Sequence, residues 1–312
     1  MMKKLGKIIL IFLVLVLMLF CYHVWSSDKE QTLLKPMGNR VDVAGQKMSV
    51  YTEGNGDVTL VFLSGAGTAS PILDFKDLYS LLFKHYRIVV VERFGYGFSD
   101  DSTRSRELPT LLSDTRQALS QAKISGPYVL VAHSMSSLEA LYWAQYYPKE
   151  VTAIIGLDFA LPESYANLQV NLSLLSLGKV AKNLGFSRLV PEHVYVKNTK
   201  LTESEKELYQ AIFHQKILST AMLNETKAIK GNVALVSRLR PPQQPILLLT
   251  SNGQGTSFSK EEWRAYALDF ANQLTDATVI TYDAPHYFYH DKSQEVALQI
   301  SQFLLEKTSQ SP

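Results

Sequence analysis

"YVLVAHSMSS", residues 128–137, is a run of apolar, β-favouring residues that stops abruptly at a serine held between small neighbours. A buried strand that turns sharply into a helix projects the side chain at its turn only if the residues two before and two after are small enough to avoid collision. Ala132 and Ser136 meet that need around Ser134. The residues that follow, SSLEALYWAQYY (136–147), carry apolar side chains at helical spacing, so the stretch reads as strand, tight turn and helix.

Working outward, β-rich runs recur at 46–52, 58–63, 86–92, 128–132, 151–158, 244–250 and 277–282. Helical patterns lie between most of them, at 108–122 and 136–147, and another closes the chain at 294–307. Short apolar runs separated by helices indicate βαβ units. The expected class is α/β: a mostly parallel central sheet with helices on both faces. One gap breaks the rhythm. About eighty residues separate Asp158 from Gln244, against a usual connection of about 4 to 6. Thr202 followed by Glu205 is a capping-box pattern that starts a helix there. Residues 161–240 are therefore read as an inserted helical cap, between core segments 41–160 and 241–312. The cap is expected to close over the carboxyl edge of the strands, where open α/β sheets bind ligands.

The N-terminus is different in kind. After Lys3, Lys4 and Lys7 comes IILIFLVLVLMLFCYHVW, residues 8–25, near the ~20 apolar residues that span a bilayer. Residues 1–27 read as a membrane anchor or signal segment and 28–40 as a polar linker. The preceding lysines place the body outside the cytoplasm by the positive-inside rule. An uncleaved anchor is favoured by the length of the run; cleavage near Ser26 would release the domain. Lys and Arg total 31 against 29 Asp and Glu, with no charged stripe, which argues against nucleic acid as a partner. Cys21 is the only cysteine, so neither a disulfide framework nor a thiolate metal site is available. No histidine and carboxylate cluster has metal-ligand spacing, and no glycine loop has phosphate-binding spacing, so no cofactor and no metal are expected.

Ala132-His133-Ser134-Met135-Ser136 is a relaxed G-x-S-x-G elbow, the arrangement that presents a nucleophilic serine. With it, VERFGYGFSD (91–100) and DAPHYFYHDKSQEV (283–296) make the chain resemble an α/β-hydrolase of the cap-bearing esterase, lipase and proline-iminopeptidase kind, over about residues 41–308. The resemblance implies a serine hydrolase acting on a small-molecule ester or acyl substrate. A serine needs an adjacent base; His286, after the last predicted strand, is the first candidate and His290 the second. His133 is read as packed, and His85, His193 and His214 as local or surface groups. The resemblance also points to the N–H groups of Ala66, in the loop SGAG (64–67), and Met135 as oxyanion donors. Three departures stand out: Ser64 replaces the usual histidine of that loop, Ala132 and Ser136 replace the elbow glycines, and no acid follows the strand ending at Thr250. The acid is therefore sought at Asp158, in the fold's chain order Ser134, Asp158, His286, with Glu261, Glu262 and Asp283 as alternatives. An aminopeptidase on the same triad and a catalytically weak binding protein remain open, while a dehalogenase needs a carboxylate where Ser134 stands.

Overall fold

The computed structural model describes residues 2–166, 168–198 and 200–309. Its centre is an eight-stranded sheet in the order β1-β2-β4-β3-β5-β6-β7-β8. The strands are β1 (Asn39–Val43), β2 (Gln46–Glu53), β3 (Thr59–Leu63), β4 (Arg87–Glu92), β5 (Tyr128–His133), β6 (Val151–Leu157), β7 (Ile246–Thr250) and β8 (Ala277–Thr281). β2 pairs antiparallel with β1 and with β4, and every other pairing is parallel.

The helices are α1 (Met2–Glu30), α2 (Pro71–Asp74), α3 (Lys76–Leu82), α4 (Leu108–Gln121), α5 (Ser137–Tyr146), α6 (Leu172–Asn183), α7 (Glu192–Tyr195), α8 (Glu203–Lys216), α9 (Thr220–Val236), α10 (Lys260–Ala271) and α11 (Ser293–Ser309). Alternation along the strands divides the core in two. Leu60, Phe62, Ile88 and Val90 face a cluster closed by α3 and α11 side chains such as Leu78 and Ile300. Val61, Leu63, Val89 and Val91 face the opposite cluster, closed by Leu112 of α4 and Leu141 of α5. Because both faces are covered, the central strands are apolar between their end residues, as buried parallel strands are.

Two features depart from the sequence reading. β1 is absent from the expected strands. It joins β2 through Ala44 and Gly45, with φ of 50° and 82°. That is a two-residue hairpin with both central residues left-handed. The expected linker, 28–40, is partly ordered structure: α1 runs on to Glu30, and β1 already begins at Asn39. The extra helical turn is held from outside, by ion pairing of Glu30 with Arg188. Between β6 and β7 the chain forms α6, α7, α8 and α9, and Thr202 makes the reciprocal capping box with Glu205.

Candidate active site

The first-choice candidates lie just past the carboxyl ends of strands. Ser134 follows β5, Asp158 follows β6, Ala66 lies in the loop after β3, and His286 lies in the loop after β8. Ser134 has φ +54° and Asp158 φ +53°. Left-handed backbone in non-glycine residues costs of order 1–3 kcal/mol and persists only where the surroundings over-determine it. At the elbow those surroundings are visible. Ser136 Oγ lies 2.7 Å from the carbonyl of Leu63 and 2.8 Å from that of His133, so its hydroxyl is satisfied where the usual glycine has none to satisfy. Gly65 has no such freedom: a Cβ there would sit 2.9 Å from His133 Nδ1 and 3.0 Å from Ser134 Cβ. Only glycine lets this loop approach the serine so closely.

Asp158 is fully buried and all its bonds converge. Its Oδ2 lies 2.5 Å from His286 Nδ1. Its Oδ1 accepts from the backbone N–H of Ser251 at 2.7 Å and from Trp263 Nε1 at 2.8 Å. Two donors on one oxygen leave the other directed at the imidazole. The loop carrying His286 is pinned in turn, its own N–H donating to the carbonyl of Gln254 at 2.8 Å. Glu261 and Glu262 are exposed at the start of α10, where Glu262 closes a capping box with Ser259. Asp283 is exposed and pairs with Lys260.

The other histidines have separate surroundings. His133 is fully buried, with ring centroids 4.6 Å from His286, 4.7 Å from Tyr287 and 5.0 Å from Tyr289. Burial, followed by the neighbouring His286, lowers its pKa well below the ordinary value and keeps it uncharged. His290 turns away into the core, its Nε2 3.1 Å from the carbonyl of Asp74 and 3.4 Å from Asp74 Oδ1. His214 is buried beside Ser187, and burial lowers it to about 4. His85 and His193 are exposed.

Ser134, Ala66 and Met135 line one cavity of about 650 Å³. Its wall is completed by Tyr165, Leu168, Val170 and Ile229 from the helical insertion and by Phe258 and Trp263 from the core. A smaller cavity of about 180 Å³ is lined by Ala66 and Gly67 together with Leu175.

The profile of the alpha/beta hydrolase fold family matches residues 58–293. The chain belongs to the α/β-hydrolase family. A relative of this α/β-hydrolase, the uncharacterized protein YbdG of Bacillus subtilis (strain 168), is 38% identical over 267 residues, covering 80% of this chain and 82% of that protein. Among solved structures, an esterase from Exiguobacterium antarcticum superposes with a TM-score of 0.66 at 15% identity, over 86% of this chain and 99% of its own. A haloalkane dehalogenase loop variant from Bradyrhizobium elkanii gives 0.65 at 18% identity, over 87% and 97%. At such identities the two structures share the α/β-hydrolase fold with this chain.

Two residues of this α/β-hydrolase site carried no sequence signal. Trp263 reaches Asp158 across 105 positions. Arg93 is buried and donates to the carbonyl of Ser64 at 2.9 Å, bracing the loop of Ala66. It also pairs with Glu139 of α5 at 3.3 Å and with Glu225 of α9 at 3.5 Å. Arg93 sits inside the quoted stretch 91–100, yet nothing periodic marks a buried arginine.

Proposed function

We propose that the protein is a membrane-anchored serine hydrolase that cleaves uncharged carboxylic esters through an acyl-enzyme. The observation that carries this reading is the 2.5 Å contact of Asp158 with His286 beside the cavity that Ser134 lines from a strained elbow. Ser134 Oγ attacks the ester carbonyl as His286 Nε2 takes its proton. Asp158 holds Nδ1–H and stabilises the imidazolium that forms. The N–H groups of Ala66 and Met135 receive the oxyanion, a contribution of about 3 to 4 kcal/mol per donor. His286 then gives the proton to the leaving alkoxide, and water repeats the sequence on the acyl-serine.

Substrate charge separates an esterase from an aminopeptidase. A peptide amine bound as an ammonium ion needs a carboxylate, since an unpaired buried charge is costly. The described residues that line the main cavity are apolar or carry a hydroxyl or amide, with no acidic side chain among them. Dehalogenation is disfavoured by chemistry: displacement of halide by Ser134 would form an alkyl ether, which an oxyanion site has no means to hydrolyse. Residues 161–240 act as a cap over the cavity in this reading, and α1 is the anchor. It is long and apolar enough to cross a membrane, and Lys3, Lys4 and Lys7 favour a domain outside the cytoplasm.

Fluorophosphonate labelling is the test. The full chain should label and turn over short-chain esters, and Ser134→Ala should lose both, with turnover down about 10⁶-fold. Its melting temperature should hardly change, because alanine keeps the same backbone geometry. Undiminished labelling of the variant, or faster cleavage of aminoacyl amides than of esters, overturns the assignment.

A further inference from the structure

The apolar helix α1 does not leave the domain through a free tether. Arg188, whose side chain is 7% exposed, donates to Glu30 at 2.7 and 2.9 Å, to Ser27 Oγ at 2.9 Å and to His23 Nδ1 at 2.9 Å. Beside it, Gly185 approaches so closely that a Cβ would lie 2.8 Å from His23 Cβ and 3.0 Å from the carbonyl of Leu19. Leu19 is inside the apolar run that ends at Trp25. The rise of an α-helix puts it about 9 Å below that end. Tyr22 and Trp25 lie within the last turn of that run with their rings in contact, and such rings favour the membrane–water boundary. The helical insertion is therefore clamped to α1 at the depth where a bilayer begins, whichever side of the membrane the domain occupies.

The segment next to that clamp is apolar where it faces outward. α6 ends at Asn183, two residues before Gly185, and exposes Leu174 (63%), Leu177 (64%) and Val180 (55%) at positions that share one helix face. Beyond the clamp Leu189 and Val194 are exposed as well, but Glu192 and His193 between them are also exposed, so the uncharged apolar face is that of α6. The two charges of α6 turn away from it: Lys179 Nζ bonds Thr220 Oγ1 at 2.6 Å and Lys182 Nζ bonds the carbonyl of Gln215 at 3.2 Å. The exposed polar residues of the helix are Ser173, Ser176 and Asn183, all uncharged. Exposed apolar side chains gathered on one helix face mark an interaction site. The opposite side of the same helix meets the smaller cavity, and the chain just before the helix meets the larger one. Leu175 lines the smaller one, and Leu168 and Val170, just before α6, line the larger one with Ser134.

We propose that α6 rests in the leaflet that receives the end of α1, and that the substrate is an uncharged acyl ester drawn from that leaflet past α6. The substrate half rests on the hydrolase reading; the docking half rests on the clamp, the apolar face and the reading of α1 as the membrane segment. An amphipathic surface helix binds a bilayer through its buried apolar area, and here α1 supplies the second attachment that fixes its depth.

The experiment uses the full chain in phosphatidylcholine nanodiscs. With Cys21→Ser as background, an environment-sensitive fluorophore is placed at Leu177→Cys and, for reference, at Leu298→Cys on α11, which is also exposed. Doxyl-labelled lipid should quench the fluorophore at 177 and leave that at 298 bright. Equal quenching at both, or none at 177, overturns the docking. In parallel, Leu174→Glu with Leu177→Glu should lower turnover of a long-chain monoacylglycerol in the disc roughly tenfold, while a water-soluble short-chain ester changes less than about twofold. Quenching at 177 with unaltered monoacylglycerol turnover overturns the substrate route. Quenching with no ester turnover by the unmutated chain refutes the hydrolase reading and leaves the docking supported.

Discussion

Two buried aspartate–histidine pairs lie close together in this molecule, and one of them, through Trp263, touches the wall of the cavity that Ser134 lines. Asp158 meets His286 at 2.5 Å beside the wall that holds Ser134. His290, four positions further along the loop, meets Asp74 at 3.4 Å. The second pair is enclosed: Tyr289 Oη donates to Asp74 Oδ2 at 2.6 Å, and Lys200 Nζ donates to the carbonyl of His290 at 2.8 Å. A carboxylate beside an imidazole is thus equally suited to hold α2 against the final loop or to orient a base. Both rings pack against aromatic side chains; the difference is that Asp158 and His286 also contact Trp263, which lines the cavity with Ser134, whereas Asp74 and His290 contact Tyr289 and Tyr287.

The largest effect that would break this comparison is expected at Asp158. Asparagine tolerates the left-handed backbone found there. Its Oδ1 keeps the donors Ser251 and Trp263. Its amide then faces Nδ1 and demands the wrong tautomer of His286. The same exchange in a serine protease triad costs about 10⁴ in turnover, or about 5.5 kcal/mol. Asp158→Asn should lose at least about a thousandfold while thermal melting shows a folded protein. Near-normal ester turnover would make the two pairs equivalent and remove Asp158 from the site.

Asp74→Ala should reverse the pattern. It strands the Tyr289 hydroxyl in the core, so stability should fall by about 1–3 kcal/mol in denaturant melts. Turnover per folded molecule should stay within about threefold of the parent, well short of the effect of losing a triad acid. A large loss of turnover with little destabilisation would show that His290, not His286, is the base.

The smallest effect sharpens the boundary between the pairs. His133 packs at a tilt against His286 and edge-on against Tyr289, which belongs to the other pair. Its pKa is depressed in the folded protein, so below the ordinary value of 6.5 the unfolded chain takes up a proton that the folded one refuses. Stability from this residue is present above about pH 6.5 and declines as pH falls, by at most about 1.4 kcal/mol per unit. His133→Leu should flatten that decline in melts between about pH 6.5 and 4.5. An unchanged slope would mean that His133 is protonated in the fold, placing a charge beside the base.

How much of this is legible depends on the range of the interaction. The apolar run 128–132, the small residues around Ser134 and the capping box of Thr202 are local patterns, and each has its local structure here. Asp158 emerges by elimination and chain order, without any residue type or spacing that ties it to His286. Arg93, Asp74 and Trp263 give no sign, because burial of polar side chains follows no period. The end of α1 reads as linker since SSDKE is polar, and the partner that orders it, Arg188, lies 158 positions away from Glu30.

The amino-acid sequence by itself determined the α/β architecture, since strand and helix periodicities and small residues at a turn act over a few neighbouring positions. It also determined that one end of the chain is apolar enough to cross a membrane. Tertiary structure alone decided which aspartate meets which histidine and where the apolar face of α6 lies relative to α1. Those pairings join groups up to 216 positions apart, and a charge or apolar face acquires its role only from what the folded chain packs against it.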